Sequence, residues 1–166
     1  MNSKSSSELV ATFRIASMLL GTDVARVQEV VRDQLLEPVP QAPEAIAGLL
    51  NLRGQILAVT DLRTRLGLPP LQSAPGHDTV SQSGAAHFII RTGAESESLL
   101  VDLEGEVLSL ADFQREEIPD TVPAGIRPYV SEVYQLDHEL LLVLDIDKVL
   151  DAGDTEEAEP RAGIGH

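Results

Sequence analysis

Two stretches of the chain, LAVTDLRTRL at 57–66 and LLVLDIDKVL at 141–150, line up position for position: an apolar run, an aspartate, then a short helical pattern. Two further pairs keep the same order, TFRI at 12–15 with HFII at 87–90, and TDVARVQEV at 22–30 with VDLEGEVL at 101–108. The members of each pair lie roughly 75 to 85 residues apart, the mark of one structural unit built twice. A chain of 166 residues has room for two such small units sharing an interface. This duplication restricts the fold more than any single motif does.

Within each copy the apolar runs are short, rich in Val, Ile and Leu, and broken about every ten residues by Gly, Pro or charged pairs, as in a small barrel or sandwich. The predicted class is mostly β, with short helices. LLNLR runs directly into GQILAVT, and Arg53-Gly54 marks the bend, where Gly can take the positive φ of a tight hairpin turn. Asp137-His138 is a polar turn in the second copy. Asp61 and Asp145 each stand where a helix needs an N-cap acceptor, and Gly67, Pro69 and Pro70 stop the first helix.

Composition sets the outer boundaries. Residues 1–8 are polar and of low complexity, and 151–166 carry five acidic groups without apolar periodicity, so both read as disordered, the second as an acidic tail. Pro, Ser, Gly and Gln dominate about 69–85, which reads as a linker between a first barrel at about 9–68 and a second at about 86–150.

Charge and residue usage exclude several functions. Twelve Lys and Arg against 27 Asp and Glu leave a formal net charge of −15, which repels nucleic-acid phosphates and anionic membranes and points to protein partners. Aromatics are 3 % with no Trp, too few for base-stacking platforms. No cysteine is present to build a disulfide or a thiolate metal site. The longest apolar runs, such as LLLVL, fall far short of the ~20 residues of a membrane helix, and nothing at the start reads as a signal peptide, so the expected location is the cytoplasm.

No catalytic constellation emerges. His77, His87, His138 and His166 have no partner ligand at helical spacing and read as solvated surface groups. There is no nucleophile elbow, and GTDVAR and GLPPLQ match neither phosphate-loop pattern. The tail carboxylates do not follow calcium-loop spacing. The expectation is a non-enzyme with no cofactor and no metal.

What remains specific is VQEV at 27–30, the Pro-rich EPVPQAPEAIAG, then NLRG at 51–54 and DLR at 61–63. This succession closely resembles the CheW family of bacterial chemotaxis coupling proteins, and the resemblance covers nearly all of residues 10–150. It implies two SH3-like, five-stranded barrels packed on each other. It also implies a non-catalytic adaptor joining the cytoplasmic hairpin tip of methyl-accepting chemoreceptors to the histidine kinase CheA, with barrels alternating in rings with CheA and other CheW-like proteins at membrane-associated arrays. By position, Val27, Glu29, Gly48 and Arg53 match the family's receptor-facing groove, and Asn51, Leu52 and Gly54 the motif that shapes it. The kinase-facing surface is expected on the first barrel.

Physically, Glu29 and Arg53 are opposite charges among apolar strands and are predicted to pair across adjacent strands. Arg63 and Arg65, on the short closing helix, are read as mainly solvated. Met18 and Leu19 depart from the polar first turn usual in the family and are expected to tuck against the second barrel. Two other readings stay open: an adaptor of a non-flagellar array, and a double barrel holding a small ligand between its halves.

Overall fold

The computed structural model describes residues 8–69 and 85–151. The N-terminus through residue 7, the linker over 70–84 and the tail from 152 lie outside the described residues. In chain order the strands are β1 (Leu9–Ile15), β2 (Met18–Asp23), β3 (Val27–Val31), β4 (Leu36–Glu37), β5 (Ile46–Leu52), β6 (Gln55–Asp61), β7 (Ala86–Thr92), β8 (Glu95–Val101), β9 (Leu103–Ser109), β10 (Gln114–Glu116), β11 (Val130–Gln135) and β12 (Leu140–Leu144). Helix α1 (Leu62–Arg65) follows β6, and a second helix, α2 (146–151), follows β12.

The fold is mostly β, in two six-stranded sheets ordered β10-β11-β12-β2-β1-β9 and β3-β7-β8-β6-β5-β4. Read from their short outer strands β10 and β4, the two orders are equivalent strand for strand. Both contain one parallel pair, β12 with β2 and β6 with β8. Even the irregularities coincide: the β5–β6 ladder shifts register between Ile46 and Gly48, and the β11–β12 ladder between Val130 and Glu132. The internal duplication is thus a structural one.

The division of the chain into a first barrel at 9–68 and a second at 86–150 needs correction. Hairpin β1–β2 sits in the sheet of β9–β12, and hairpin β7–β8 in the sheet of β3–β6, so the halves exchange their first hairpins. Each hairpin has apolar side chains on both faces and therefore requires a central place with a core on either side. Phe13, Ile15 and Leu20 face the core shared by the two sheets, whereas Val10 and Leu19 join Leu110, Leu141 and Val143 in a separate outer core. Likewise Phe88 and Ile90 face the shared core, and Ile89 joins Leu50, Leu57 and Val59 on the other side. The equivalent rings of Phe13 and Phe88 meet edge to face, centroids 5.0 Å apart.

The first turn is Ala16-Ser17, so Met18 and Leu19 are strand residues. Met18 packs on the shared core and Leu19 is buried among residues of the second half. Both predicted caps form: Asp61 Oδ1 accepts from the Arg63 amide at 3.0 Å, and Asp145 Oδ1 from the Lys148 amide at 3.3 Å. Desolvation holds the Asp61 carboxyl above its ordinary pKa.

Two further expectations fail. His87 is not solvated: it is 3 % exposed inside the second sheet, its Nδ1 lies 2.9 Å from Ser98 Oγ, and burial lowers its pKa to about 4. In HFII, strand alternation places His87 on the same side as Ile89, facing inward. Arg63 is not solvated either. Its Nε and Nη2 donate to Asp102 at 2.9 and 2.8 Å, with both side chains about 15 % exposed, and Nη1 donates to the Pro69 carbonyl. Asp102 also accepts from the Ala16 amide at 2.8 Å, tying helix α1 to the first hairpin of the other sheet.

Candidate functional site

The segment 51–54 is built around its turn. Leu52 pairs with Gln55, leaving Arg53 and Gly54 as a two-residue loop with φ of 54° and 89°. Two consecutive positive φ values make the primed turn that matches strand twist. Gly54 adopts this conformation freely, Arg53 at some strain. Asn51 closes the loop by accepting the Gly54 amide on Oδ1 at 3.0 Å. The sequence Asn-Leu-Arg-Gly thus holds one guanidinium on a rigid projection.

That guanidinium pairs with Glu29. The pairing is as predicted; its path is not. Glu29 lies on β3, one margin of the second sheet, and Arg53 in the β5–β6 turn, with β7 and β8 between the two. The ion pair therefore bridges a curled sheet and not a ladder of neighbouring strands. Arg53 is 66 % exposed and Glu29 28 %, so water screens the pair, which is worth about 0.5 kcal/mol. Such a pair contributes little to strand register and leaves the guanidinium free to exchange partners.

The other predicted residues lie deeper. Leu52 is buried with Leu50 and Leu57. Val27 packs on the shared core, directly after a 3-10 turn that Asp23 caps by accepting the Ala25 amide at 2.9 Å. Gly48 lies at the bulge of β5, where a Cβ would stand 2.7 Å from the Glu37 carbonyl oxygen, so only glycine lets β4 approach. The structure brings Glu29, Asn51, Arg53 and Gly54 together at one projection; Leu52 and Gly48 are buried, and Val27 is half-buried on the strand that carries Glu29.

Ile56, directly opposite Asn51 in the ladder and 57 % exposed, was missed. Strand alternation in QILAVT signals it: Leu57 and Val59 face inward, so Ile56 faces outward. Leu35, 79 % exposed just before β4, carries no such signal. Among the described residues, no group of three or more His, Asp or Glu is placed to hold a metal ion, and no helix is long and apolar enough to cross a membrane.

Residues 9–154 match the model of the CheW-like domain. The chain belongs to the CheW-like family. It is 24 % identical over 151 residues to the chemotaxis protein CheW of Rhizobium meliloti (strain 1021), covering 91 % of this chain and 92 % of that protein. It is 26 % identical over 153 residues to the chemotaxis protein CheW of Bacillus subtilis (strain 168), covering 92 % and 93 %. A shorter match, 42 % identical over 50 residues, relates 30 % of the chain to protein FrzA of Myxococcus xanthus. In fold it resembles the crystal structure of the scaffolding protein TtCheW from Thermoanaerobacter tengcongensis, with a TM-score of 0.69 at 23 % identity over 86 % of this chain and 92 % of that one. The two-subdomain CheW architecture expected from the motifs is therefore present, with the hairpins exchanged as described.

Proposed function

We propose that this CheW-like chain is a non-catalytic, cytoplasmic adaptor that couples the hairpin tip of methyl-accepting chemoreceptors to the histidine kinase CheA in a membrane-associated array, alone or in rings with other CheW-like proteins. The observation that carries the reading is the Asn51–Gly54 projection: a strained, internally hydrogen-bonded turn presenting Arg53, lightly held by Glu29. A guanidinium so placed can leave one carboxylate for a partner's at small net loss, the property a docking residue needs. The receptor-binding site then consists of Glu29 and Arg53, with Asn51 and Gly54 shaping it and Val27, Gly48 and Leu52 fixing the strands beneath. Coupling requires two partners held at once, so that occupancy of one changes the geometry offered to the other.

Titrating the intact protein with a soluble cytoplasmic fragment of a chemoreceptor and, separately, with the regulatory domain of CheA tests the reading. Saturable binding to both is the expected result, with receptor affinity lost in Arg53→Ala. Failure to bind either fragment overturns it.

A further inference from the structure

The duplication exposes an asymmetry. The face of β6 opposite Leu57 and Val59 carries Ile56, Ala58 and Thr60; the equivalent face of β12 carries Leu140, Leu142 and Leu144. On β12 this face is covered: Leu142 and Leu144 are each 4 % exposed, in the shared core, to which the connection 117–129 adds Val122 and Ile126. The end of that connection is pinned by the Asp145 amide donating to the Tyr129 carbonyl at 2.8 Å, just as the Asp61 amide donates to the Ala45 carbonyl at 2.7 Å. The first-half connection, 38–45, is shorter, and the position matching Ile126 is Ala42. Three large aliphatic groups of the second half are thus Ala42, Ala58 and Thr60 in the first.

A hollow of about 370 Å³ stands in the place of the missing volume, lined by Ile46, Ile56, Ala58, Thr60, Arg65 and Leu150 and edged by Glu95. Two buried polar atoms point to an occupant. Thr60 Oγ1, on a residue 1 % exposed, and Arg65 Nε have no hydrogen-bond partner within the protein. A buried hydroxyl and a buried guanidinium N–H without partners are costly in a structure with no use for them.

We infer that this hollow is a docking site for a segment of a partner protein that supplies what the connection 117–129 supplies in the second half: an aliphatic side chain seated over Ala58 and Thr60, an adjacent carbonyl to accept from Thr60 and Arg65, and a basic residue for the Glu95 edge. The chain's own Ile126-Arg127 is the template for that chemistry. The inference rests on the internal comparison and stands whether or not Arg53 contacts a receptor.

The test adds a synthetic peptide of residues 117–128 to the intact protein and follows backbone amide shifts. Saturable shifts at Ile56, Ala58, Thr60 and Arg65 are expected, and Ile56→Asp abolishes them. Thr60→Val separates docking from folding: it raises the melting temperature of the free protein by removing an unpartnered hydroxyl, yet weakens the peptide about tenfold. Absence of shifts at millimolar peptide, shifts confined to Leu142 and Leu144, or unchanged affinity in Thr60→Val would overturn the assignment. So would two alternative occupants: binding seen only in a chain ending at residue 151, which assigns the hollow to the chain's own C-terminal segment, or a concentration-dependent dimer abolished by Ile56→Asp, which assigns it to a second copy.

Discussion

Replacing Arg63 by alanine removes the most deeply placed ion pair among the described residues. The guanidinium makes two charge-assisted hydrogen bonds to Asp102 at 2.9 and 2.8 Å and a third to the Pro69 carbonyl at 2.8 Å, with both charged side chains about 85 % buried. Breaking a fully buried pair by deleting one partner costs about 3–5 kcal/mol, because the remaining charge is left uncompensated. Asp102 keeps the Ala16 amide and some solvent, which places the loss near the lower end, about 3 kcal/mol. For a chain of this length that corresponds to a fall in Tm of roughly 6–12 °C. Urea unfolding and calorimetry of wild type, Arg63→Ala, Asp102→Asn and the double variant give the loss and the coupling between the two residues. A loss below about 1 kcal/mol, or a coupling near zero, refutes the argument that this pair locks helix α1 to the other sheet.

Arg53→Ala, by contrast, lowers stability by less than about 1 kcal/mol, since its pair with Glu29 is screened; the same urea curves check this, and a larger loss would restore a role in register. His87 makes stability depend on pH. Its folded pKa of about 4 lies below the 6.5 of the unfolded chain, so the contribution is fully present above about pH 6.5 and is lost as pH falls toward and through 4, by about 3 kcal/mol in all. Unfolding free energies measured across that range fall less steeply in His87→Gln than in wild type; parallel profiles would contradict the burial argument. Phe88→Ala opens the centre of the shared core and lowers stability by about 3–5 kcal/mol; a loss under 1 kcal/mol by denaturant unfolding would mean that the two sheets do not depend on this contact.

Local rules carried far in this chain. Short apolar runs broken about every ten residues identified the strands, the two aspartate caps and the Arg53-Gly54 turn follow from adjacent residues, and the matched segments revealed the duplication. The exchange of hairpins was not legible, because β1 and β7 are apolar on both faces wherever they lie and nothing in a strand's own sequence says which ladder it joins. Arg63 and His87 were misjudged for a related reason. Arg63 becomes buried only because Asp102, far along the chain, comes to meet it, and His87 because its sheet curls around the side it faces. The Glu29–Arg53 pair was legible as a pairing of charges, but its setting at the surface came from the curl.

We propose that this protein transmits receptor state to a kinase without chemistry of its own. The most direct measurement is CheA autophosphorylation on receptor-containing membranes, with and without this protein and with Arg53→Ala in its place. Receptor-dependent control of the kinase with the wild-type protein, and its loss in a fully folded Arg53→Ala, is the expected result. Kinase activity indifferent to the wild-type protein under conditions where both partners are present would contradict it.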